Sequence, residues 1–351
     1  MMEMYINGVG VISPQNSLEN FLSNIKYYSD EYLKCIEPNY KDFINPIQLR
    51  RMSRILKMGT VAAKLCISES SVELPDAIIT GTAMGCIEDT EKFLSTLIEN
   101  KETLLTPTSF IQSTHNTVSA QIALMLKCNS YNYTYVNRGF SFESCLLDAK
   151  LMINDNEANN VLVGSFDEIT KKYFLITKKI GWWKEPIKSN ELLSTKTNGS
   201  IAGEGTAFFM LSNCKTEKTY AKFAGLKTFF KPLDNNEIRE NINEFLNEND
   251  ISIKNIDTVI YGLSGDNHTD NVYYSLKNEL FTHSNNLYYK HLCGEYHTSS
   301  SFAFWIASEI LKHKHIPEIL FVDRKQTTEP NNILIYNHFQ NKNHSLILLK
   351  K

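Results

Sequence analysis

Short apolar runs alternate with amphipathic segments along the whole chain. The runs have the length of buried strands, and they cover residues 5–9, 77–81, 161–164, 207–211, 258–262, 333–336 and 345–349. Residues 131–136, with alternating tyrosines, predict one more strand. Strands that alternate with helical patterns are typical of a parallel or mixed sheet covered by helices. The pattern therefore predicts an α/β fold.

Four of the intervening segments have the periodicity of helices. They cover residues 50–68, 141–154, 237–249 and 299–312. The first interleaves basic with apolar residues, which predicts a helix with a cationic face. The second is apolar enough to be buried on most sides, and Phe140 or Ser141 should stand at its start.

The chain has 351 residues, above the size at which a single hydrophobic core usually stops growing. A polar stretch at residues 213–219 separates two halves of similar rhythm. We expect one half at residues 1–215 and a second at residues 216–351.

Charge and composition exclude several classes of function. A net charge of −3 gives no general attraction to nucleic acid or to anionic membranes. No apolar run approaches about 18 residues, and the start lacks the features of a signal peptide, so we expect a cytoplasmic protein without membrane insertion. The seven cysteines form no CxxC pair, which favours reduced, mostly buried thiols over disulfides or a zinc site. We expect no metal and no cofactor.

Several segments, in order and at similar spacing, resemble the β-ketoacyl synthase branch of the thiolase-like proteins. They are residues 6–14, 50–54, 79–82, 106–120, 161–168 and 203–207. The resemblance covers nearly the whole chain. It implies a thiolase-like fold with two pseudo-repeated βαβ halves in a five-layer αβαβα arrangement.

The catalytic cysteine of that family is missing. Condensing enzymes of the family carry it at the N-terminus of a buried helix, where the helix dipole and backbone N–H groups lower the thiol pKa. Placed on the family pattern, this chain has Gly139, or at most Phe140, at that position. Neither side chain can attack a thioester. Cys145 lies more than one helical turn further on and is interpreted as a buried small side chain.

Both catalytic histidines of the family are missing as well. The strand at residues 258–262 should lead into the first, but Gly262 and Leu263 stand there and His268 comes about five residues late. At the second site the family lysine is retained as Lys290, whereas Glu295 occupies the histidine position. A carboxylate there would repel a malonyl donor.

Two histidines near these positions are predicted to have structural roles, and the last turn of the chain departs from the family pattern. His291 and His297, which flank the second site, are interpreted as structural. The turn at residues 339–344 lacks the glycines of the family, which allow close approach of the backbone to an acyl thioester.

Together these losses resemble the chain-length-factor class, which lacks the cysteine and pairs with an active ketosynthase. Residues 135–144 resemble the ketosynthase-like subunits of aryl polyene and flexirubin-type pathways, although better-known chain length factors carry a glutamine at the cysteine position and none stands here. The resemblance implies an active ketosynthase as heterodimer partner, or a homodimer, and an acyl carrier protein. The pairing surface would be the strand at residues 131–136.

The resemblance also implies a loop that reaches the acyl pocket of the partner subunit. The candidates for limiting the chain length are Phe110, Gln112, Thr114 and Asn116. A bulky side chain at the end of a tunnel stops elongation, because overpacking costs roughly 1–3 kcal/mol. Core packing would explain Phe110 equally well.

Two other classes of function stay open. One is acyl transfer or hydrolysis by Ser141 or Ser144, or by a displaced Cys145, with a base drawn from His268, His297 and Glu295. The other is a scaffold that docks a carrier protein, its former active site filled by aromatic residues including Phe140 and Phe142. Arg50, Arg51 and Arg54 could meet an acidic carrier protein, or could form a solvated helix face.

Overall fold

The computed structural model describes residues 2–16, 25–325 and 329–351. The strands are β1 Tyr5–Ile12, β2 Tyr32–Leu33, β3 Ala77–Gly81, β4 Tyr131–Tyr135, β5 Asn160–Asp167, β6 Ala202–Gly203, β7 Gly205–Ser212, β8 Ala221–Phe230, β9 Thr258–Tyr261, β10 Asn285–Tyr288, β11 Phe321–Asp323, β12 Asn332–Phe339 and β13 Asn343–Lys350. The α-helices are α1 Pro46–Leu49, α2 Arg54–Ser70, α3 Ile87–Glu99, α4 Pro107–Gln112, α5 Thr117–Leu126, α6 Ser141–Asn154, α7 Lys171–Lys179, α8 Asn235–Glu248, α9 Asn271–Glu279, α10 Lys290–Cys293 and α11 Ser300–His313. Short 3-10 helices cover Tyr40–Asp42, Arg138–Phe140, Ser189–Glu191, Ile253–Asn255 and Glu318–Leu320.

Two sets of five strands repeat one topology. In chain order the first set is β1, β3, β4, β5, β7 and the second is β8, β9, β10, β12, β13. Both lie across the sheet in the order third, second, fourth, fifth, first. In both sets the second, third and fourth strands are parallel, and the fifth is antiparallel to its two neighbours. The sets join through a short antiparallel pairing of β1 with β8, as the predicted pseudo-repeat requires.

Helices lie in three layers around the two strand sets. Helices α2 and α5 pack on the outer face of the first set, and α8 and α9 pack on the outer face of the second. Between the sets lie α6 and α11, whose side chains share one core with strands of both halves. At the centre, Phe142 on α6 and Phe209 on β7 contact Phe304 on α11, with ring centroids 5.6 and 4.8 Å away. The predicted αβαβα arrangement is confirmed.

Helix α2 begins later than its periodicity predicts. Residues 50–53 lie outside α2, because α1 ends at Leu49 and Ser53 takes an extended conformation at the N-cap of α2. Arg50 and Arg51 are exposed. Arg54 instead forms two hydrogen bonds, of 2.7 and 2.6 Å, with the buried carboxylate of Glu204 and a third to Glu37. The proposed role of Arg54 in binding a carrier protein is therefore wrong, since its guanidinium is committed to internal ion pairs.

Strand β4 lies at one edge of the large sheet and pairs only with β3 among the described strands. Its residues Tyr131, Asn132 and Tyr133 are exposed. Neighbouring helices also expose apolar side chains, namely Phe110 and Ile111 on α4, Leu124 on α5, and Leu147 and Leu151 on α6. An open strand edge with apolar surroundings is a ready template for pairing with a second chain. No helix in the described ranges is long and apolar enough to cross a membrane.

Candidate functional site

The position predicted for the missing cysteine lies in the corner that joins β4 to α6. Residues Arg138–Phe140 form a 3-10 turn there, with Arg138 at a positive φ of 49° and Gly139 buried. A Cβ added to Gly139 would lie 2.7 Å from Cβ of Phe339 and 3.2 Å from Cβ of Asn343. The space for a nucleophile is thus occupied by the hairpin between β12 and β13. Phe140, half-buried, is the N-cap residue of α6.

The serine and cysteine nucleophiles considered above have structural partners. Ser141 is buried, donates to the carbonyl of Thr82 at 2.9 Å and accepts from the N–H of Asn137. Ser144 donates to the carbonyl of Phe140 one turn back. Cys145 is buried against β3, and burial raises its pKa well above the ordinary value. Neither serine hydroxyl bonds a histidine within the described residues, so this geometry offers no activated nucleophile.

The position predicted for the first histidine is closed in the same way as the position predicted for the cysteine. A Cβ on Gly262, just after β9, would lie 2.1 Å from Oδ1 of Asn337 and 2.7 Å from the hydroxyl of Tyr273. Leu263 is buried in the outer core of the second half. His268 is exposed and lies in the loop before α9. The space of the first histidine is therefore taken by the amide of Asn337 and the phenol of Tyr273.

The position predicted for the second histidine holds a buried ion pair. Nζ of Lys290, on α10, lies 2.6 Å from Oε2 of Glu295. Ser299 donates to the other carboxylate oxygen at 3.2 Å. Burial raises the pKa of Glu295, and the ammonium of Lys290 opposes this shift. The ion pair offsets the negative charge that the sequence places here.

A polar network extends from this ion pair towards the first histidine position. The hydroxyl of Tyr289 donates to Oδ1 of Asn337 at 3.0 Å and lies 3.5 Å from Oγ of Ser299. Because Ser299 also contacts Glu295, one chain of side chains connects the two positions predicted for the histidines. Such a network stabilises one arrangement of a core when its members are paired.

The flanking histidines are buried and packed against aromatic rings. His291 stacks on Tyr288 with centroids 4.0 Å apart, and burial lowers the pKa of His291 to about 3. Nε2 of His297 lies 3.3 Å from the hydroxyl of Tyr173, and its ring packs 4.2 Å from Phe339. Burial also lowers the pKa of His297.

The turn between β12 and β13 keeps an unusual conformation without glycine. Gln340 and Asn341 both have positive φ, 53° and 51°. Residues other than glycine are uncommon there, and each costs of order 1 kcal/mol or more. The hairpin thereby brings Phe339 against Gly139, His297 and Trp182. Phe339 and Trp182, rather than Phe140 and Phe142, are the aromatic residues that fill this region, since Phe142 lies in the central core.

Among the described residues, Phe339 lies beside two voids. The larger has a volume of about 240 Å³ and is lined by Gly181, Trp182, Trp183, Ser200, Ser264, Asp266, Thr269, Glu295, Phe339 and Gln340. The smaller, of about 20 Å³, lies between Phe339, His297, Tyr173 and Glu168, among others. No group of three or more metal-ligating side chains occurs among the described residues.

The four tunnel candidates lie on and after α4. Phe110 is exposed and packs against Phe93, with ring centroids 5.4 Å apart. Gln112 donates to the carbonyl of Arg51, and Thr114 bonds the hydroxyl of Thr117. Asn116 is exposed before α5. These residues lie on the surface that carries Ile111, apart from the interior voids.

The sequence pattern alone did not single out several residues that shape the site. Phe339, Asn337 and Tyr273 fill the lost positions, and Asp167 holds loops of both halves together. The one feature of the sequence that pointed to a role for Phe339 was the absence of glycine from the turn at residues 339–344.

Residues 31–185 match the family described as "Beta-ketoacyl synthase, N-terminal domain". No curated protein matches the chain. The matched segment spans β2 to α7 and includes the corner at Gly139. The match shows that this part of the chain is similar to β-ketoacyl synthases, and the repeated topology of the whole chain is that of the thiolase-like fold.

Solved structures share this fold over essentially the whole chain. "The ishigamide ketosynthase/chain length factor" superposes with a TM-score of 0.84 at 14% identity, covering 100% of this chain and 99% of that one. A β-ketoacyl synthase from Burkholderia phymatum STM815 gives a TM-score of 0.82 at 13% identity, with 100% of both chains covered. "AntDE:AntF (apo): type II PKS acyl-carrier protein in complex with its ketosynthase bound to the hexaketide" gives 0.79 at 12% identity, with 99% of both chains covered. At these identities the superpositions show that the chain has the fold of these proteins.

Replacing Gly139 by cysteine is expected to create no working nucleophile. The new Cβ would collide with Cβ of Phe339, so the variant should lose about 1–3 kcal/mol of unfolding free energy. Denaturant unfolding and intact-mass analysis with acyl carrier protein substrates measure both effects. Because the collision is with Cβ of Phe339, the matched double variant is G139C/F339G. Compared with F339G alone as control, this variant should show a smaller loss of stability from the introduced cysteine than G139C shows compared with the wild type. A G139C protein as stable as the wild type and carrying an acyl group on the introduced thiol would contradict the packing described.

The stability of the protein should fall with rising pH because of Glu168. Burial raises the pKa of this carboxyl to about 8. Between these two pKa values the folded chain keeps a proton that the unfolded chain releases. The resulting loss of unfolding free energy is therefore zero below the ordinary pKa of a glutamate, grows as the pH rises, and reaches its full size above about pH 8. Unfolding free energies of Glu168→Gln and wild type should agree near pH 4, and the variant should be more stable by several kcal/mol near pH 9. A constant difference across this range would exclude Glu168 as the titrating group.

Proposed function

We propose that this chain is a non-catalytic, chain-length-factor-like subunit that pairs with an active β-ketoacyl-ACP synthase. The observation that carries the proposal is the occupation of two lost catalytic positions by neighbouring side chains. Gly139 lies against Phe339, and Gly262 lies against Asn337 and Tyr273. The third position holds Glu295 in an ion pair with Lys290. A site packed in this way has neither a thiolate nor an imidazole to drive decarboxylation and condensation.

The pairing surface in this proposal is the open edge of β4. Two such edges related by a two-fold axis would continue the sheet from one subunit into the other, and Tyr133 is exposed there. The apolar side chains of α4, α5 and α6 would be covered in the same step. Burial of exposed apolar surface is the main driving force of such associations.

The role in chain length rests on α4 and the residues after it. The exposed Phe110, with Gln112, Thr114 and Asn116, would reach the acyl tunnel of the partner and limit its length. An aryl polyene type of product is proposed from the resemblance of residues 135–144 alone. The chain would then act through the surface formed by α4 and the residues after it, and not through catalysis of its own.

Co-expression with a cysteine-bearing ketosynthase tests the pairing. We expect a 1:1 heterodimer in size-exclusion chromatography with mass determination. Tyr133→Asp should abolish it, because a carboxylate would be buried at the strand edge, while Tyr27→Asp, at an exposed tyrosine elsewhere, should not. A homodimer that ignores such partners, or an acyl adduct mapped to Cys145 of the isolated chain, would overturn the proposal.

The tunnel role predicts a change of product. In the reconstituted heterodimer, Phe110→Ala should shift the product distribution towards longer chains, since a side chain that blocks elongation is shortened. Leu74→Ala, which shortens an exposed apolar side chain in the loop before β3, should leave the distribution unchanged. Mass spectrometry of the released acyl chains measures both. An unchanged distribution in the Phe110 variant would leave packing against Phe93 as the only role of this ring.

A further inference from the structure

The larger void beside Phe339 combines aromatic walls with two carboxylates, and no lysine or arginine belongs to its lining among the described residues. We propose that this void binds a small quaternary ammonium compound with a short polar arm. The inference goes beyond the proposed function, because it concerns a free small molecule held by this chain alone. It does not depend on pairing with a ketosynthase.

Three aromatic rings that line the void form what we call the aromatic cage, namely Trp182, Trp183 and Phe339. The ring centroids of Trp182 and Trp183 lie 5.9 Å apart, and the two planes meet at 84°. The ring centroids of Trp182 and Phe339 lie 5.8 Å apart, and these planes meet at 79°. The negative face of an aromatic ring attracts a cation within about 6 Å, and cages of several rings are used to bind quaternary ammonium groups. The aromatic cage therefore suits an organic cation.

The charged residues that line the void are both acidic. Asp266 is partly exposed, accepts from the N–H of His268 at 2.9 Å and forms no ion pair with another described residue. Glu295 is paired with Lys290, which lies outside the lining. An anionic ligand would be repelled here, whereas a cation would be attracted, most directly by the unpaired Asp266.

Lys184 shows how this region acts on a positive charge. Its ammonium donates to the carbonyl and the hydroxyl of Thr197, at 2.6 and 2.9 Å. Burial lowers the pKa of Lys184, whereas the charges of Asp266 and Asp270 raise it. The carboxylates near the void thus stabilise a cation in their neighbourhood. Because the ammonium of Lys184 is held by Thr197, it forms no ion pair with Asp266 among the described residues.

The chemistry of the walls favours a quaternary ammonium over a primary one. A primary ammonium is strongly hydrated and brings three N–H donors that need acceptors. The aromatic cage offers ring faces instead, against which N-methyl groups can pack without leaving a donor unpaired. A methylated cation should therefore lose less on leaving water than a primary amine does.

The size of the void and one hydroxyl group define the rest of the ligand. The volume of about 240 Å³ lies below the roughly 300–1,000 Å³ of pockets for drug-sized molecules. Ser200 lines the void, is only 4% exposed, and its hydroxyl has no hydrogen-bond partner among the described residues. A buried polar group without a partner costs free energy. A short arm that ends in a hydroxyl would supply this missing hydrogen bond.

Hydrogen bonds outside the void hold the aromatic cage in place. The ring N–H of Trp183 donates to the hydroxyl of Thr177 at 2.6 Å. The N–H of Ser200 donates to the carbonyl of Trp182 at 2.9 Å, and the N–H of Lys184 donates to the carbonyl of Ser200 at 2.8 Å. Walls that are fixed before the ligand arrives lower the entropic cost of binding.

Titration of the full-length chain with choline tests the proposal. The chain has three tryptophans and two of them line the void, so intrinsic fluorescence reports binding there, and calorimetry gives the affinity independently. We expect saturable binding of one choline per chain. Dimethylbutanol, the uncharged carbon isostere of choline, should bind at least about tenfold more weakly, which corresponds to about 1.4 kcal/mol. Ethanolamine, with a primary ammonium, should bind about fivefold more weakly than choline.

Substitutions separate the charge from the aromatic cage. Asp266→Asn should weaken choline binding about fivefold, whereas the same change at the exposed Asp155 should have no effect. Trp182→Leu should weaken binding about tenfold, and Trp182→Phe, which keeps an aromatic face, should lose less. Calorimetry is the measurement for the Trp182 variants, because these substitutions remove a fluorophore.

Several results would overturn the proposal. Equal affinities for choline and dimethylbutanol would show that the void does not recognise the charge, and displacement of choline by malonate would show that it accepts an anion. Attachment to phosphatidylcholine vesicles without binding of free choline would exclude a small free ligand. Heterodimer formation is measured separately. A chain that pairs with a ketosynthase but binds no choline would overturn the ammonium site and leave the pairing intact, whereas a chain that binds choline without pairing would do the reverse.

Discussion

Replacing Lys290 by methionine is expected to lower the unfolding free energy by about 3–5 kcal/mol. The substitution removes the ammonium 2.6 Å from Glu295 and leaves a carboxylate in the interior without its counter-charge. Breaking one partner of a buried ion pair costs this much because the remaining charge loses both water and its partner. Denaturant unfolding followed by tryptophan fluorescence measures the change.

The double variant K290M/E295L separates the ion pair from simple packing. Apolar side chains of similar volume should recover most of the stability, since replacement of both charges removes the desolvation cost. Lys222→Met, which breaks a pair with Glu3 at the surface, should cost less than about 1 kcal/mol. If K290M lost as little as K222M, the pair at the former histidine position would not have the buried character described here.

Replacing Asp167 by alanine is expected to have an effect of similar size. One carboxylate oxygen accepts from the hydroxyl of Thr82 and the N–H groups of Ala83 and Met84, at 3.0, 2.9 and 3.3 Å. The other accepts from the N–H and hydroxyl of Thr298, at 3.2 and 2.8 Å. The side chain thus ties the loop after β3 to the residues before α11. Its removal leaves several buried donors unpaired, for a loss of about 3–5 kcal/mol.

Milder variants locate this effect on the carboxylate. Asp167→Asn keeps one acceptor oxygen and should lose less than alanine, and Thr298→Val removes a single hydroxyl donor and should lose about 1 kcal/mol. Asp155→Ala, at an exposed helix end, should change stability by no more than about 0.5 kcal/mol. Equal losses in D167A and D155A would show that the five contacts contribute nothing measurable.

The sequence predicts those strands and helices whose apolar and polar residues alternate in a clear pattern within the element itself. Strand β3 and helix α6 have the bounds that their apolar patterns predict, because much of each is buried and a polar residue follows each of them. Strand β8 went unpredicted, since its lysines alternate with apolar residues on a face that is only half-buried. Helix α7 was also missed, because exposed apolar side chains share its outward face with exposed lysines.

The same distinction between local patterns and contacts distant in sequence applies to the candidate site. The sequence predicts the losses at Gly139, Gly262 and Glu295 from family spacing, because each is a change at one position. It does not predict which side chains pack against these residues, because the contact of Phe339 with Gly139 spans 200 residues of sequence and depends on how β13 pairs with β8. The bond of Arg54 to Glu204 spans 150 residues and is equally invisible to periodicity.

The close contacts at Gly139 and Gly262 constrain how this chain could change. In a ketosynthase that had only lost its cysteine, one reverse substitution would return the thiol to an open site. In this chain Phe339, Asn337 and Tyr273 occupy the space beside the two glycines, so a larger side chain at either glycine would collide with them. If the chain is the non-catalytic subunit that we propose, recovery of condensation would need coordinated changes on β4–α6, β9 and the last hairpin.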